Sequence, residues 1–383
     1  MKPINVISLF NGMSTGHTAF DDLGIPIGKY YSSEIKPHAI ELTKYHFPDT
    51  IELGDITNWK EWDIDWKSID IVLSGSPCKD LSGAGKRKGI YGENSGLFWL
   101  FIEILEHIKK VNPNVLFFQE NVGSASKADI GIMSRAMGLY PVRINSKLVT
   151  AQLRDRFYWT NIKTKEEMFD VVTDIPQPKD QGILLKDIIE NGFVDRDKAR
   201  AVLESESRNN TDMAKMYRRY SLKGFGNVVY QINPSKESNG VQPYQHNRVY
   251  ADYGKHVALT ESISHRTKIA YGIAKRGRKD DDGITKQQFE LNKTGKANCI
   301  TTVDKDSMVL DDIIIRPLTK VELCRLQGFP DNHCDILTRN KTASLIGDGW
   351  TLPIIKHIFK YIPEVMNLIN IDEPIKSNEL VKA

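Results

Sequence analysis

Three short motifs contain the residues of this sequence whose chemistry is most distinctive. Cys78 stands in G-S-P-C-K-D, shortly after the apolar run 69–74. Cysteine is a nucleophile only as its thiolate, and a free thiol with a pKa of about 8.5 is only about 5% thiolate near pH 7.2. The polar neighbours Lys79 and Asp80 and the glycine-rich stretch that follows favour a reactive thiol over a buried structural one.

A carboxyl group and two guanidinium groups follow in the next two motifs. Glu120 ends an apolar run in F-F-Q-E-N-V, and Arg154 and Arg156 alternate in Q-L-R-D-R. Residues two positions apart in a strand project to the same face, so we expect paired guanidinium groups with an anionic or carbonyl-rich partner. Because Cys78 and Glu120 follow successive strands, we expect them to lie side by side at the carboxyl edge of a sheet.

These groups together fit one reaction, the addition of a thiolate to cytosine. Carbon 5 of cytosine is a poor nucleophile, but a thiolate bonded to carbon 6 makes it enamine-like, so that it attacks a sulfonium methyl group. A carboxyl group at N3 and an arginine at O2 would stabilise the charge that develops on the ring. Nearby guanidinium groups would also raise the thiolate fraction. The motifs therefore predict cysteine-dependent methyl transfer.

A glycine turn and two acidic residues predict a nucleoside-binding site near the N-terminus. The first strand leads into F-N-G-M-S-T-G, and Glu34 follows the second strand. Such turns let the backbone approach a ligand, and a carboxylate about twenty residues later accepts the hydroxyls of an adenosine ribose. Asp55, in L-G-D-I, is either an acceptor for an adenine amino group or a loop residue. Nicotinamide enzymes, flavoproteins and methyltransferases share this pattern.

The elements that must position these residues alternate between strands and helices. Strand-like runs cover 4–10, 29–34, 69–74, 114–119, 142–149 and 157–162. Helical patterns end near residue 23, cover 37–45, 97–111 and 130–137, and return at 318–329 and 343–361. This alternation predicts an α/β fold with a parallel, doubly wound sheet.

The chain changes character between residues 163 and 315. This stretch holds irregular polar segments and a basic run that includes Arg276 and Arg278, with an acidic triplet at 280–282 directly after it. The basic run fits either a segment that contacts phosphates or a solvated loop. We expect one domain at 1–162, completed by 316–383, and a second domain at 163–315.

Composition limits the class of protein. The 383 residues are 40% hydrophobic and 26% charged, and a net charge of +3 is too small to indicate a nucleic-acid partner by itself. Four cysteines without a C-x-x-C pair predict free thiols in a reducing cytoplasm and no bound metal. No apolar stretch approaches about 18 residues, and the N-terminus lacks the features of a signal peptide, so we expect a cytoplasmic protein without a membrane segment.

The motifs stand in the order of the DNA (cytosine-5)-methyltransferase family, which this sequence resembles nearly everywhere outside residues 163–295. The matching segments are F-N-G-M-S-T-G, S-S-E-I, G-D-I-T, G-S-P-C, E-N-V, Q-L-R-D-R, R-P-L-T-K-V-E-L-C-R-L-Q-G-F-P-D and L-I-G-D-G-W-T-L-P-I-I-K-H. Any one of them discriminates poorly, whereas chance does not produce all of them in family order. Three details, F-x-G-x-x-x-G, C-x-D-L-S and G-x-x-W-x-x-P, look closest to the catalytic domain of vertebrate de novo DNA methyltransferases.

The resemblance implies a Rossmann-like class I S-adenosylmethionine-dependent methyltransferase sheet with a smaller target-recognition domain at 163–315. It implies that Cys78 bonds to carbon 6 of a flipped-out cytosine in double-stranded DNA, that Glu120 contacts the cytosine edge, and that Arg156 reaches O2, with Arg154 in support. S-adenosylmethionine, which leaves as S-adenosylhomocysteine, would be held by Phe10, Gly12, Thr15, Glu34, Ile35, Asp55, Ile56 and Trp350.

Two basic groups are the candidates for DNA contact. Lys86, Arg87 and Lys88 lie in the glycine-rich loop after Cys78, where closure on a phosphate backbone is possible. Arg276 and Arg278 lie in the second domain. The sequence leaves open the recognised DNA motif, whether the protein is a monomer or a homodimer, and whether it serves in restriction-modification.

Two departures from the family pattern concern the cofactor pocket. Ser14 and Thr15 replace the usual glycine pair, and Asp348 occupies a position that is often asparagine. The alternatives to a DNA enzyme are a tRNA cytosine-5 methyltransferase of the same fold, a catalytically silent DNA-binding homologue and a nicotinamide oxidoreductase. The last explains only the glycine turn and Glu34.

Overall fold

The computed structural model describes residues 2–77, 96–192, 194–202, 220, 226–232, 271–279, 285–291, 308–310 and 313–362. The chain divides into two compact units. The first combines Met1–Leu184, Lys198–Ser207 and Lys320–Ala383, and the second combines Leu185–Asp197 and Arg208–Thr319. The chain therefore leaves the first unit and returns to it at its C-terminal end.

A seven-stranded sheet in the order β3-β2-β1-β4-β5-β8-β6 forms the centre of the first unit. Strands β1 to β5 run parallel to one another, whereas β8 runs antiparallel to both β5 and β6. The strands of this unit are β1 Ile4–Leu9, β2 Ile27–Ser33, β3 Ile51–Glu52, β4 Ile71–Ser74, β5 Leu116–Val122, β6 Val142–Asn145, β7 Gln152–Leu153, β8 Asp155–Thr160, β9 Thr164–Glu167, β10 Asp170–Thr173 and β11 Ala199–Arg200.

The antiparallel direction of β8 differs from the wholly parallel sheet that the sequence predicts. The connection between β6 and β8 holds only a 3-10 helix at Ser146–Leu148 and the short strand β7. A parallel neighbour needs a crossover connection of a dozen residues or more. The connection between β6 and β8 is shorter than that, so β8 returns antiparallel to β6. The run 142–149 is accordingly a short strand that ends in a helical turn rather than one long strand.

Helices cover both faces of the sheet, as the alternating pattern predicts. The helices are α1 Thr15–Asp22, α2 Pro37–His46, α3 Leu97–Val111, α4 Lys127–Met137, α5 Leu185–Ile188 in the second unit, α6 Lys320–Gln327, α7 Arg339–Asp348 and α8 Leu352–Phe359. The predicted helix at 343–361 is two helices, because the chain becomes extended at Gly349 and restarts with Pro353 in the first turn of α8.

The core has two parts, one on each face of the sheet. Phe117 packs with α3, whose buried residues recur at helical spacing. Its neighbour Phe118 faces the other way and lies with its ring 5.7 Å from that of Phe359 on α8. Phe359 also stacks on Phe20 of α1 at 4.6 Å. Alternation along β5 thus supplies one large ring to each layer.

The second unit is described mainly by its antiparallel strands. Strand β12 (Val229–Ile232) pairs with β16 (Ile313–Arg316), and β13 (Tyr271–Lys279) lies between β14 (Thr285–Leu291) and β15 (Met308–Leu310). The described part of the basic run, 275–279, is therefore in a strand rather than a loop. Pairing with β14 satisfies backbone groups that a loop would leave to water.

Candidate active site and cofactor pocket

The segment that leads to Cys78 lies against the segment that contains Glu120. Beyond the end of β4, the hydroxyl group of Ser76 accepts a hydrogen bond from Nε2 of Gln119 at 2.9 Å and lies 3.5 Å from Nδ2 of Asn121. The residues on either side of Glu120 therefore hold the chain two residues before Cys78. Cys78 itself lies outside the described residues, as do the three DNA-contact candidates Lys86, Arg87 and Lys88.

Glu120 and Arg156 form an ion pair between the neighbouring strands β5 and β8. Nε of Arg156 lies 2.6 Å from Oε1 of Glu120, and the two side chains are only 15% and 10% exposed. Nη1 of Arg156 also donates to the main-chain oxygen of Asp155 at 2.8 Å. Glu120 lies within β5 rather than after it, because β8 pairs with β5 as far as Val122.

Arg154 has a separate set of partners. Its buried guanidinium group donates to the main-chain oxygen of Gly347, at 3.1 Å from both Nη atoms, and to that of Gly349 at 2.8 Å. These main-chain oxygens are the carbonyl-rich partner that the sequence predicts for Arg154. The predicted face shared by Arg154 and Arg156 was not found. Arg154 lies between β7 and β8, so strand alternation does not apply to it. It instead holds the backbone on both sides of Asp348.

Trp350 fills a space that the glycine at position 75 leaves open. The residue is 7% exposed, and the ring of Phe118 meets its indole edge-on at 4.9 Å. A Cβ atom at Gly75 would lie 2.5 Å from Nε1 of Trp350, and one at Gly16 would lie 2.5 Å from Leu73. Gly75 is thus a packing requirement that sequence reasoning missed. Its partner lies far along the chain, so no local signal identifies it.

Glu34 accepts three backbone hydrogen bonds at the carboxyl ends of β1 and β2. Oε2 accepts from the N–H of Gly12 at 2.8 Å, and Oε1 accepts from the N–H groups of Ile35 and Lys36 at 2.8 and 2.9 Å. Gly12 has a φ of 58°, and Phe10 has the same value, which is costly for a residue with a Cβ atom. The carboxylate therefore lies against the turn that the sequence predicts as a ligand-binding turn.

A buried polar network holds this turn from behind. The side chain of Asn11 donates to the hydroxyl oxygens of Ser14 at 2.7 Å and Thr43 at 3.2 Å, and it accepts from the hydroxyl group of Tyr30 at 3.1 Å. Ser14 has a φ of 56°. Each member of the network is satisfied by another, which offsets the cost of burying polar groups. Sequence reasoning did not identify Asn11, Thr43 or Tyr30.

The remaining cofactor candidates differ in how exposed they are. Oδ1 of Asp55 accepts from the N–H and hydroxyl groups of Thr57, both at 2.9 Å, so Asp55 caps a 3-10 helix at Ile56–Glu61. Ile56 is buried in the core, and Thr15 is buried at the start of α1. Ile35, in contrast, is 68% exposed and offers an apolar surface beside Glu34.

This combination fits an adenosyl group. The ribose requires an acceptor for two hydroxyls, for which a carboxylate such as that of Glu34 has the right chemistry, and the adenine ring requires an apolar surface such as the exposed side chain of Ile35. At Gly12 the nearest atom to an added Cβ would be 3.9 Å away, so the backbone there is open to a ligand. The residues present are therefore suited to S-adenosylmethionine.

Two buried rings near these sites have shifted pKa values. Burial lowers the pKa of His17 to about 4; its ring is stacked with those of Tyr30 and Phe47, at 4.3 and 3.7 Å between centroids. Burial raises the pKa of Tyr158, the residue opposite Glu120 on β8. The Tyr158 hydroxyl group therefore stays protonated at neutral pH.

Within the described ranges, no group of three or more His, Cys, Asp or Glu residues is arranged to hold a metal ion. No helix in the described part of the chain is both long enough and apolar enough to cross a membrane.

The strand order, with one reversed strand beside β5 and an acidic residue directly after β2, is that of the Rossmann-like fold of class I methyltransferases. The family model for C-5 cytosine-specific DNA methylases matches residues 4–364. The chain belongs to this family, and it is an enzyme of the DNA (cytosine-5-)-methyltransferase class.

Similar proteins agree with this assignment. The chain is 25% identical to "Type II methyltransferase M.NgoBV" of Neisseria gonorrhoeae over 431 residues, covering 94% of this chain and 98% of the relative. It is 24% identical to "Orphan methyltransferase M.SPRI" of Bacillus phage SPR, covering 94% and 97%. It is also 33% identical to "DNA (cytosine-5)-methyltransferase DRM2" of Oryza sativa subsp. japonica over 118 residues, which cover only 28% of this chain and 20% of that protein.

Two solved structures share the fold. The Entamoeba histolytica methyltransferase EhMeth has a TM-score of 0.55 at 12% identity, with 96% of this chain and 99% of that chain covered. The S. pombe Dnmt2 methyltransferase has a TM-score of 0.51 at 13% identity, with 95% and 99% covered. At these identities the likeness concerns the fold alone.

Proposed function

We propose that this chain methylates carbon 5 of cytosine at a specific site in double-stranded DNA, with Cys78 as the nucleophile. The observation that carries the proposal is the contact of Ser76 with Gln119 and Asn121. This contact joins the segment leading to Cys78 to the strand that holds Glu120. A thiol, a carboxyl group and the guanidinium group of Arg156 are the set that thiolate addition to a pyrimidine requires.

The proposed reaction begins when the target cytosine leaves the DNA stack, at a cost of a few kcal/mol. The thiolate of Cys78 forms a bond to carbon 6, and the electron pair of the ring double bond becomes available at carbon 5. Glu120 shares a proton with N3 and Arg156 donates to O2, so both stabilise the negative charge that the ring takes up. Once carbon 5 has taken a methyl group, with the electron pair of the broken sulfur–carbon bond left on the donor's sulfur, loss of the proton from carbon 5 to solvent restores the double bond and expels the thiolate.

The methyl donor is S-adenosylmethionine, which supplies an electrophilic methyl group when it is bound. We propose that Glu34 accepts the ribose hydroxyls, that Ile35 contacts the adenine ring and that Asp55 accepts from the adenine amino group. Trp350, which packs against Phe118 and Gly75, forms the opposite side of the pocket. The remaining proposed pocket residues are Phe10, Gly12, Thr15 and Ile56.

Arg154 is better described as a positioning residue than as a catalytic one. Its hydrogen bonds go to the main-chain oxygens of Gly347 and Gly349, in the segment directly before Trp350. We propose that it supports the reaction by fixing this segment, while Arg156 contacts the base.

We propose that the second unit recognises the target sequence and that Arg276 and Arg278 on β13 contact phosphates. The two residues are two positions apart in this strand. Replacing both with glutamine should make the slope of log K against log[salt] shallower by about 1.8 in magnitude if each contacts a phosphate. Replacing Lys109 and Lys110, in the last turn of α3, should leave the slope unchanged. An unchanged slope for the arginine variant would show that Arg276 and Arg278 do not contact phosphates.

A genome-wide map of 5-methylcytosine tests the function directly. The chain and its Cys78→Ser variant are expressed in a host without cytosine methylation, and the host DNA is sequenced after bisulfite treatment. We expect one short motif to be methylated by the wild-type chain and none by the variant. Methylation of tRNA without methylation of DNA would instead support a tRNA enzyme.

The cellular setting is also a proposal. The full-length relatives named type II and orphan methyltransferases come from a bacterium and a phage. This supports a cytoplasmic enzyme in a bacterial or phage-infected cell, with a role in restriction-modification. The closer resemblance to vertebrate de novo enzymes is proposed for the short motifs F-x-G-x-x-x-G, C-x-D-L-S and G-x-x-W-x-x-P.

A further inference from the structure

Two charged residues stand at unfavourable ends of helices beside the proposed cofactor pocket. Lys36 occupies the N-cap position of α2, and Asp348 is the last residue of α7. The amino end of a helix favours negative charge and the carboxyl end favours positive charge. The charge that each helix end favours therefore does not explain why either residue stands at its position.

The two residues explain each other, because they form an ion pair. Nζ of Lys36 donates to Oδ2 of Asp348. The pair brings the carboxylate of Asp348 toward the amino end of α2 and the ammonium group of Lys36 toward the carboxyl end of α7. Each helix end thus receives from the other segment the charge that it favours.

The ion pair joins two segments that the proposed function assigns to opposite sides of one pocket. The N–H of Lys36 donates to Oε1 of Glu34 at 2.9 Å, so Lys36 helps to fix the proposed ribose acceptor. Asp348 lies two residues before Trp350 and between the two glycine carbonyl groups that Arg154 holds. A connection between Lys36 and Asp348 therefore links Glu34 to Trp350.

We propose that Lys36 and Asp348 are positioning residues that hold the two sides of the S-adenosylmethionine pocket in their binding arrangement. This inference rests on the proposed roles of Glu34 and Trp350. A pocket that already has its binding arrangement before the ligand arrives needs less free energy for rearrangement, so it binds the ligand more tightly. S-adenosylmethionine carries a positive charge on its sulfur, and S-adenosylhomocysteine does not. Because the ion pair has no net charge, it stabilises the complexes with the two ligands equally.

The test measures dissociation constants for both ligands by titration calorimetry on the full chain. Asp348→Asn and Lys36→Gln should each raise both constants by about two- to five-fold, the range expected for one partly exposed ion pair. The KM for S-adenosylmethionine should rise by the same factor, while kcat should change less. The charge-exchanged variant Lys36→Asp with Asp348→Lys should restore affinity, because it rebuilds the pair.

A second ion pair supplies a matched control. Lys341 on α7 and Glu41 on α2 join the same two helices at 3.5 Å, with side chains 48% and 52% exposed. Lys341→Gln should leave both dissociation constants unchanged. Equal weakening by Lys341→Gln would show that helix docking alone matters and would overturn the proposal, as would wild-type affinity in Asp348→Asn and Lys36→Gln.

The same experiment separates this inference from the proposed function. Glu34→Ala should lose binding of both ligands if Glu34 is the ribose acceptor. Wild-type binding by Glu34→Ala, or no binding by the wild-type chain, would contradict the proposed cofactor site and with it the role of the ion pair. Loss in Glu34→Ala together with unchanged affinity in Asp348→Asn would overturn the ion-pair proposal only.

Discussion

Nε of Arg156 lies 2.6 Å from Oε1 of Glu120, and both side chains are largely withdrawn from solvent. The two residues come from adjacent antiparallel strands, so the backbone pairing of β5 and β8 fixes the distance between them. Ser76, two residues before Cys78, is hydrogen-bonded to the residue that precedes Glu120. The acid that the proposed reaction requires is therefore held in place by the sheet rather than by a loop.

Glu120→Gln should reduce the rate of methyl transfer by about 10²- to 10⁴-fold, because the amide cannot share a proton with N3 as a carboxyl group does. The measurement is a single-turnover assay on DNA that contains the target motif, with circular dichroism to verify folding. Glu106→Gln, on the exposed part of α3, is the control and should react at the wild-type rate. A Glu120→Gln rate close to that of the control would exclude Glu120 from the chemistry.

Arg154→Met should lower the free energy of unfolding by about 3 kcal/mol, since it leaves the buried carbonyl group of Gly349 and the partly buried one of Gly347 without their donor. Urea unfolding at neutral pH measures the change. The control is Arg143→Met, which removes an ion pair with Asp155 from an exposed side chain and should cost less than about 1 kcal/mol. If the two variants are equally stable, Arg154 does not hold the segment before Trp350.

Gly75→Ala should destabilise the protein by about 1–3 kcal/mol, because the added methyl group would overlap Nε1 of Trp350. Gly131→Ala is the comparison. It lies within α4, where the nearest atom to the new Cβ is the flexible end of Arg135 at 3.4 Å, so alanine should stabilise by about 0.5–1 kcal/mol. Thermal unfolding midpoints that moved in the same direction for both variants would contradict the packing described for Trp350.

The stability of the protein should fall as the pH is lowered from about 6.5 toward 4, in part because of His17. Burial depresses the pKa of His17 from its ordinary value of 6.5 to about 4. Over this range the unfolded chain binds a proton that the folded chain does not, so the contribution is complete above pH 6.5 and is lost as the pH falls. His17→Phe keeps a ring between Tyr30 and Phe47 but cannot titrate.

Urea unfolding at pH 7 and pH 5 tests this prediction. The loss of stability between the two pH values should be smaller in His17→Phe than in the wild-type chain. An identical loss in both would mean that His17 is not buried in its neutral form.

The strands and the acidic residues of the pocket were accessible to sequence reasoning because their signals are local. The apolar run at 4–10 is β1 apart from one residue, and the position of Glu34 after β2 follows from the end of an apolar run. The helical spacing at 97–111 matches α3 residue for residue. Periodicity and turn composition were sufficient for these features.

The partners of the same residues were not accessible, because they depend on segments that meet only in the folded chain. Arg154 and Gly347 are 193 positions apart, and Lys36 and Asp348 are 312 positions apart. The alternation of Arg154 and Arg156 indicated a shared face, yet a break between β7 and β8 gives them different partners. No pattern within either segment shows which distant backbone or side chain will lie against it.

The most direct test of the account is covalent trapping on DNA that contains 5-fluorocytosine at the target motif. Fluorine at carbon 5 blocks the loss of a proton, so the bond between the sulfur of Cys78 and carbon 6 should persist when S-adenosylmethionine is present. We expect the wild-type chain to form a complex with this DNA that survives denaturing electrophoresis, and Cys78→Ser to form none. The same complex in Cys78→Ser, or its absence from an active wild-type enzyme, would contradict the proposed mechanism.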